Sequence, residues 1–370
     1  MKRKIAALLV AAMTIALVGC GGKSSSSTST DDKKEEQKTE EKAEAKYTPE
    51  VKDVKVSYFS FCGELYQFVA ADKGYLKDEG LDVEEVVIDS GADAFSALGA
   101  GTTDVLLTYS TVTPLNFIAN GGEYTIFAGY MAQGATPLFT LKDTKYDGLE
   151  DLVGKKIGIG KNGGGTECLA LKDKLTKAGY DINKDFEWVE FTNSMEAIEG
   201  VKNGELDFAF NQTGYETVRE QYGMKDVWYP DDDYPMYSCC RVVARTQWLK
   251  DNPNTAKALL RAYMRAGVFF DDDDYVVNLM MDKLDQDKEK VEGYMLNPHY
   301  KIHLDPLKNS VLRDWEWALD FGVIENKNNI NIEDHINTEL YKDVLDDLID
   351  ENPDDSYYKD LSKMYDEYNL

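Results

Sequence analysis

The chain is poor in the residues on which much catalytic and metal chemistry depends. Its 370 residues include only three histidines and five cysteines. The cysteines show no CxxC spacing, so neither a zinc ribbon nor a thioredoxin-type redox motif is present. His299 and His303 stand at i,i+4, but Pro298 and Pro306 bracket them and no HExxH occurs, so they do not read as a helical zinc pair. Asp231–Asp233 and Asp271–Asp274 are unbroken acid runs without the alternating ligands, glycine and closing glutamate of a calcium loop. They read as solvated faces. Cations are also scarce: 41 Lys and Arg stand against 68 Asp and Glu, a net charge of −27. That balance argues against nucleic acid and against broad docking on anionic lipid. Beyond the N-terminus no apolar run reaches the about 18 residues a membrane span needs. No metal and no cofactor is expected.

What the N-terminus does contain is an address. Met1-Lys2-Arg3-Lys4 is basic, and Ile5 to Val18 is apolar but too short to cross a bilayer core. Leu17-Val18-Gly19-Cys20 closes this stretch and resembles the lipobox of bacterial lipoproteins. The resemblance implies cleavage after Gly19 and a diacylglycerol on the Cys20 thiol, with each buried CH₂ contributing roughly 0.8 kcal/mol to membrane attachment. Losing Lys2, Arg3 and Lys4 would take the charge from −27 to near −30. Residues 1–19 are thus expected to be a signal peptide. Residues 20–50 are expected to be a lipidated cysteine and a disordered tether. The serine-rich stretch Ser24 to Thr30 and the mixed-charge run Asp31 to Lys46 hold no aromatic residue, so they cannot bury enough apolar surface to offset ordering entropy.

About 320 residues remain, enough for two lobes. Val54–Phe59, Leu81–Ile88, Asp104–Thr108 and Tyr124–Tyr130 read as strands, separated by helical stretches at Leu65–Leu76, Ala92–Leu98 and Pro114–Ala119. A second stretch repeats the theme: strand to Ile159, helix Thr166–Ala178, strand Phe186–Phe191, helix Ser194–Lys202, strand Asp207–Asn211. In each half a Gly-x-x-Asp leads into a strand, at Gly101 to Asp104 and at Gly204 to Asp207. After Arg241–Ala244 the chain turns helical, at Asn254–Phe270, Tyr275–Leu284, Asp287–Met295, Lys308–Phe321, Asn337–Asp350 and Ser356–Tyr368. Strands alternating with helices imply α/β layers on mostly parallel sheets.

These motifs carry a family resemblance. QFVAADKGYLKDEGLDVEEV (Gln67 to Val86), Gly101 to Val105, GLEDLVGKKIG (Gly148 to Gly158) and Thr246 to Ala258 with Asn252-Pro253 occur in the same order as in one family of ABC-importer solute-binding proteins. That family, similar from about Val54 to Gly322, takes up sulfonates, nitrate and thiamine-related pyrimidines. The resemblance implies a two-lobed periplasmic-binding-protein-like fold of type II with two hinge crossings, plus C-terminal helices. Lobe 1 is expected to comprise 51–140 and 245–370, and lobe 2 to comprise 141–244, with crossings near Pro137–Lys142 and Val242–Arg245. It further implies a monomer, lipid-anchored on the extracytoplasmic face. Such a monomer captures a small molecule by hinge closure and delivers it to permease subunits with a cytoplasmic ATPase.

Ligands in open parallel sheets sit beyond the carboxyl ends of strands. The loops there define the expected ligand contacts: Phe61, Cys62, Glu64, Ser90, Tyr109, Ser110 and Gly134 from the first lobe. From the second come Asn162, Gly164, Thr166, Asn193, Asn211, Gln212, Tyr215 and Cys239. The turn at Asn162 to Thr166 can bring backbone N–H groups to a polar oxygen. Gly158 to Gly163 also spells GxGxxG, but a lone match is weak and an exported protein meets little NAD; no P-loop Lys-Ser/Thr follows. Glu64 suits a protonated or N–H-rich ligand or, alternatively, a helix dipole. Lys161 is the one cation in these loops, apart from Arg241 at the rim, fewer than a strict anion binder should offer. Phe61, Tyr109, Tyr215 and Tyr237 are candidates to sandwich a flat ring. Adjacent Cys239 and Cys240 should face opposite sides of a strand, or else are buried small hydrophobes. No Ser/His/Asp set appears, and no histidine lies in these loops. The expected ligand is a small aromatic or heterocyclic nutrient such as a thiamine-precursor pyrimidine. The alternatives are a small-anion binder of the same family and a pyrimidine-synthase-like enzyme on the same fold.

Overall fold

The computed structural model describes residues 45–60 and 64–370. The expected signal peptide, Cys20, most of the tether, Phe61 and Cys62 lie outside the described residues.

The chain builds its first sheet from β1 (Asp53–Tyr58), α1 (Leu65–Asp72), α2 (Tyr75–Asp78), β2 (Asp82–Val87), α3 (Gly91–Gly99), β3 (Val105–Ser110), α4 (Val112–Ala119) and β4 (Tyr124–Gly134). It then lays down β5 (Leu138–Leu141), β6 (Lys156–Gly160), α5 (Thr166–Lys177), β7 (Glu187–Phe191), α6 (Ser194–Asn203), β8 (Phe208–Phe210), α7 (Glu216–Gln221) and β9 (Met224–Trp228). The return brings β10 (Cys240–Arg245), α8 (Thr246–Asp251), α9 (Pro253–Gly267), α10 (Asp273–Leu284), α11 (Lys288–Met295) and β11 (Tyr300–Ile302). Three helices follow: α12 (Lys308–Asp320), α13 (Glu339–Glu351) and α14 (Ser356–Asn369).

Two sheets result, ordered β11-β4-β10-β3-β1-β2 and β7-β6-β8-β5-β9. They share a plan. In each, a parallel trio (β2-β1-β3, β7-β6-β8) is followed by one strand that runs antiparallel, β10 or β5, and comes from the far side of a crossing. The Gly-x-x-Asp motif does the same work in both. Asp104 N–H donates to the Lys55 carbonyl while its carboxylate accepts the Lys55 N–H, both at 2.9 Å. Asp207 makes the equivalent pair with Lys156, also at 2.9 Å. Each aspartate thereby fixes where one parallel strand starts beside its neighbour. Central β3 is buried along five of six residues, whereas β2 at the edge keeps Glu84 and Glu85 exposed, charges that discourage edge pairing with another chain.

The crossings differ from the expected boundaries. Leu138–Leu141 already pairs with β8 and β9, and Val242–Arg245 lies inside the first sheet, paired on both sides over most of its length. The chain therefore crosses at 135–137 and at 229–239. Both inserted strands start pairing as soon as they arrive, which leaves no room for a hinge in Lys142 or Val242. The ordered body also begins before residue 51. Glu50 caps α9, accepting from the Asn254 and Thr255 N–H groups at 3.1 and 2.8 Å, and Tyr47 donates to Asp347 at 2.5 Å.

One apolar cluster packs α1 and α9 against the first sheet, with α10 and α13 alongside. A second does not respect the lobe division. It joins Phe95, Leu106 and Ile126 of the first lobe to Leu138, Ile157, Leu169 and Phe208 of the second through Val311, Trp315 and Trp317 of α12. α12 packs on both α4 and α5.

Candidate functional site

The carboxyl ends of β1, β2, β3 and β4 carry Glu64, Ser90, Ser110 and Gly134. Those of β6, β7 and β8 carry Asn162 to Thr166, Asn193 and Asn211 to Tyr215. Local chemistry fixes several of these loops. Ser90 caps α3 by accepting from the Asp93 N–H, and Asn193 caps α6 by accepting from the Glu196 N–H. Asn162, Gly163 and Gly164 hold φ of 59°, 84° and 84° in succession. A Cβ on Gly164 would fall 2.6 Å from the Cys168 Cβ, so no side chain fits at that turn.

Two N–H groups of this turn are engaged by the chain's own carboxylates. Gly163 N–H donates to Glu190 at 3.0 Å, and Gly165 N–H donates to Glu167 at 3.0 Å. Burial pushes the Glu167 carboxyl upward, against the pull of its own N–H and that of Gly165. Glu167 was not among the expected contacts. The signal was an acid in the first turn of a helix behind a glycine-rich loop.

Glu64 is completely buried at the start of α1 without capping it. Thr108 donates to its Oε1 at 3.4 Å, and Oε2 has no partner among the described residues. Loss of solvent raises the carboxyl from 4.5 to about 8, with Asp89 and Glu85 adding repulsion and the N–H and hydroxyl contacts opposing. It therefore carries its proton at neutral pH. Other buried polar atoms without partners on these loops are Thr166 Oγ1, Asn211 Nδ2 and Glu216 Oε1. Asn211 Oδ1 accepts from Arg219, whose guanidinium also grips Asp226 through two bonds at 2.8 and 2.9 Å. Burial raises Glu216 to about 7 against the attraction of Arg219.

Two expected ring contacts are spent internally. Tyr109 is 5% exposed, accepts from the Ser57 hydroxyl at 2.9 Å and donates to the Ile88 carbonyl at 2.8 Å. Tyr237 is wholly buried; its hydroxyl accepts the Gly134 N–H at 2.7 Å and bonds Thr136 at 3.0 Å. It ties the two crossings together instead of facing a ring, and Thr213 adds a hydrogen bond to the Gly134 carbonyl. Tyr215 is half-buried at the start of α7, packed against the cluster of Phe139 and Ile198. Asn162, Asn193 and Gln212 are exposed at the loop tips. Arg241 is not at the rim. It is fully buried, held by the carbonyls of Asp305, Pro306 and Met131 at 3.0 to 3.1 Å, and burial lowers it to about 10. Cys239 and Cys240 do not face apart; their sulfurs are 3.6 Å from each other.

A cavity of about 220 Å³ lies elsewhere, lined by Asp78, Glu79, Arg261, Arg265 and Glu351. Arg261 pairs with Glu79 and Glu351, and Arg265 with Asp78 and Glu79. Most of these charges pair with one another, although Glu79 Oε2 and Arg261 Nη1 find no partner among the described residues; the hollow lies among α2, α9 and α13 and not at strand ends, so the strand-end loops are the candidate site. Among the described residues, no His, Cys, Asp and Glu side chains gather in threes around a point where a metal ion could sit, and no helix is long and apolar enough to cross a membrane.

Two α/β sheets joined by two chain crossings, with added C-terminal helices, make a periplasmic-binding-protein-like fold. The ligand-binding component of an ABC-type import system from Staphylococcus aureus has the same fold, with a TM-score of 0.65 at 16% identity, covering 80% of this chain and 99% of that one. The periplasmic nitrate-binding protein of Synechocystis gives 0.66 at 16% identity, covering 81% and 90%. The chain belongs to the NMT1/THI5-like family, whose model matches residues 65–270, more than half its length. A relative in Schizosaccharomyces pombe, named 4-amino-5-hydroxymethyl-2-methylpyrimidine phosphate synthase, is 24% identical over 248 residues. The match covers 63% of this chain and 65% of that relative, just under two thirds of its length.

Proposed function

We propose that the protein is the solute-capturing component of an ABC importer, held on the extracytoplasmic face by a lipid on Cys20, and not an enzyme. Its ligand is a small, weakly basic or N–H-rich heterocycle such as a thiamine-precursor pyrimidine. One observation carries the ligand class: Glu64 keeps a buried carboxyl with an unpartnered oxygen at the strand ends. A ligand N–H or ammonium group can satisfy that oxygen, and a cation there would draw the proton off. The turn that could receive an anion supports the same reading, since Glu190 and Glu167 already occupy the Gly163 and Gly165 N–H groups. A sulfonate or nitrate would meet two carboxylates there, and Lys161 and the buried Arg241 offer little compensation.

Native mass spectrometry of freshly purified protein, followed by calorimetry with an aminopyrimidine, an alkanesulfonate and nitrate, tests the reading. Tight aminopyrimidine binding is expected. Tight sulfonate or nitrate binding without heterocycle binding would overturn the ligand class. The synthase name of the yeast relative favours a second reading, and a product that accumulates with time in the purified protein would establish it in place of capture. For the anchor, labelled fatty acid should be incorporated by the full chain and not by the Cys20→Ser variant; equal labelling of both refutes it.

A further inference from the structure

Successive side chains of a regular strand point to opposite faces. Cys239 and Cys240 instead hold their sulfurs 3.6 Å apart, and the cause lies in the backbone. Just before them Met236 and Ser238 adopt φ of 55° and 62°, a region that non-glycine residues seldom occupy. Both are clamped there. The Met236 carbonyl accepts from Ser310 at 2.8 Å, the Ser238 carbonyl accepts from Thr111, and the Ser238 hydroxyl donates to buried Asp314. The pairing of β10 with β4 also slips between Cys240 and Arg241. The strand therefore begins irregularly, and its irregularity brings the two sulfurs together.

The pair touches both crossings. It ends the second, and Cys239 Sγ presses on Gly134 at the mouth of the first, where an added Cβ would come within 2.6 Å of the sulfur. Cys239 is 8% exposed and Cys240 5%, so Cys239 is the more accessible. The buried Arg241 guanidinium follows directly in sequence. Cys168 lies apart, wholly buried in α5.

We propose that Cys239 and Cys240 are a redox switch, oxidised by a small-molecule disulfide to a vicinal Cys239–Cys240 disulfide at the hinge. The Cys239 thiolate attacks one sulfur of the small disulfide and displaces one small thiolate. The Cys240 thiolate then attacks Cys239 Sγ and displaces the second. Two protein thiols are oxidised, one small disulfide is reduced to two thiols, and the two protons leave on those thiols. Adjacent Cα atoms are about 3.8 Å apart, closer than the ~4.4 Å lower bound usual for a disulfide. The closed ring is therefore strained and readily reduced again, which suits a switch and not a permanent staple. It would fix the backbone from 238 to 241, on which the second crossing turns.

The test uses the full chain, reduced and then equilibrated with mixtures of oxidised and reduced glutathione. The samples are quenched with acid, denatured, alkylated and cut with trypsin. The peptide from Asp226 to Arg241 should lose two hydrogens and escape alkylation in disulfide-rich buffer. It should return to double alkylation in thiol-rich buffer, while Cys168 is alkylated throughout. Double alkylation at every ratio, or a glutathione adduct without ring closure, overturns the proposal. The Cys240→Ser variant should stop at a glutathione adduct on Cys239; an unmodified Cys239 in that variant overturns it as well.

Discussion

Glu64→Gln isolates the cost of keeping one carboxyl in the dark of the first lobe. The carboxyl is fully buried, and desolvation lifts it from 4.5 to about 8 in the folded chain. Below the lower value it is protonated whether the chain is folded or not, and its contribution is intact. As pH rises between the two values the unfolded chain releases the proton and the folded chain keeps it. Stability therefore falls with increasing pH, by about 1.4 kcal/mol per unit, and levels off above the folded value. Across the whole window the loss is on the order of 5 kcal/mol, a large part of a typical domain's ~5–15 kcal/mol. Glutamine keeps the shape and the acceptor for Thr108 without the titration. Urea unfolding of both proteins from about pH 5 to about pH 9 should give matched stabilities at the acid end. The Glu64→Gln variant should be the more stable one at the alkaline end. Asp314 and Glu216, both raised to about 7, slope the two curves alike and cancel in the difference. Parallel curves would refute the argument.

Three further substitutions probe the frame around the site. Tyr237→Phe leaves the buried Gly134 N–H without its acceptor and should cost about 1–3 kcal/mol in chemical denaturation; an unchanged midpoint would mean the hydroxyl does not tie the crossings. Gly164→Ala places a Cβ 2.6 Å from that of Cys168 at a φ of 84°. It should destabilise by more than ~1 kcal/mol, whereas a neutral result would show that the turn relaxes freely. Asp226→Asn strips the charge from the partner of buried Arg219, and a loss of about 3 kcal/mol is expected. A loss below ~1 kcal/mol would mean the pair behaves as a surface bridge.

The parallel strands and the repeated Gly-x-x-Asp were legible because each is a local signal, set by β-branched runs and turn residues within a few positions. Ser90 and Asn193 were read as ligand contacts, and the structure uses both as helix caps. The strands β5, β9 and β11 escaped notice because β5 pairs with strands that come much later in the chain and β9 and β11 lie at sheet edges. Leu138–Leu141 is four residues long and resembled a connection; Tyr300–Ile302 is three. The same limit applies at the site. Periodicity places Tyr109 and Tyr237 at strand ends, but only the fold reveals that Ser57, Ile88, Gly134 and Thr136 engage their hydroxyls. Arg241 looked like a rim cation because a guanidinium is rarely taken wholly out of water. Three backbone carbonyls made that possible.

The apolar layer from Phe95 through Trp315 to Phe208 is shared by both lobes. Lobes that meet only at two thin strands can swing widely, and a ligand must then supply the free energy of bringing them together. Here α12 lies across the division, so wide separation would expose Trp315, Trp317 and Leu138 to water. Burial of side chains that size contributes roughly 2–3 kcal/mol each, which penalises the gaping state before any solute arrives. For the solute-binding role proposed above, the resting molecule would be held near its capturing arrangement, and less of the solute's contact energy would be diverted from affinity.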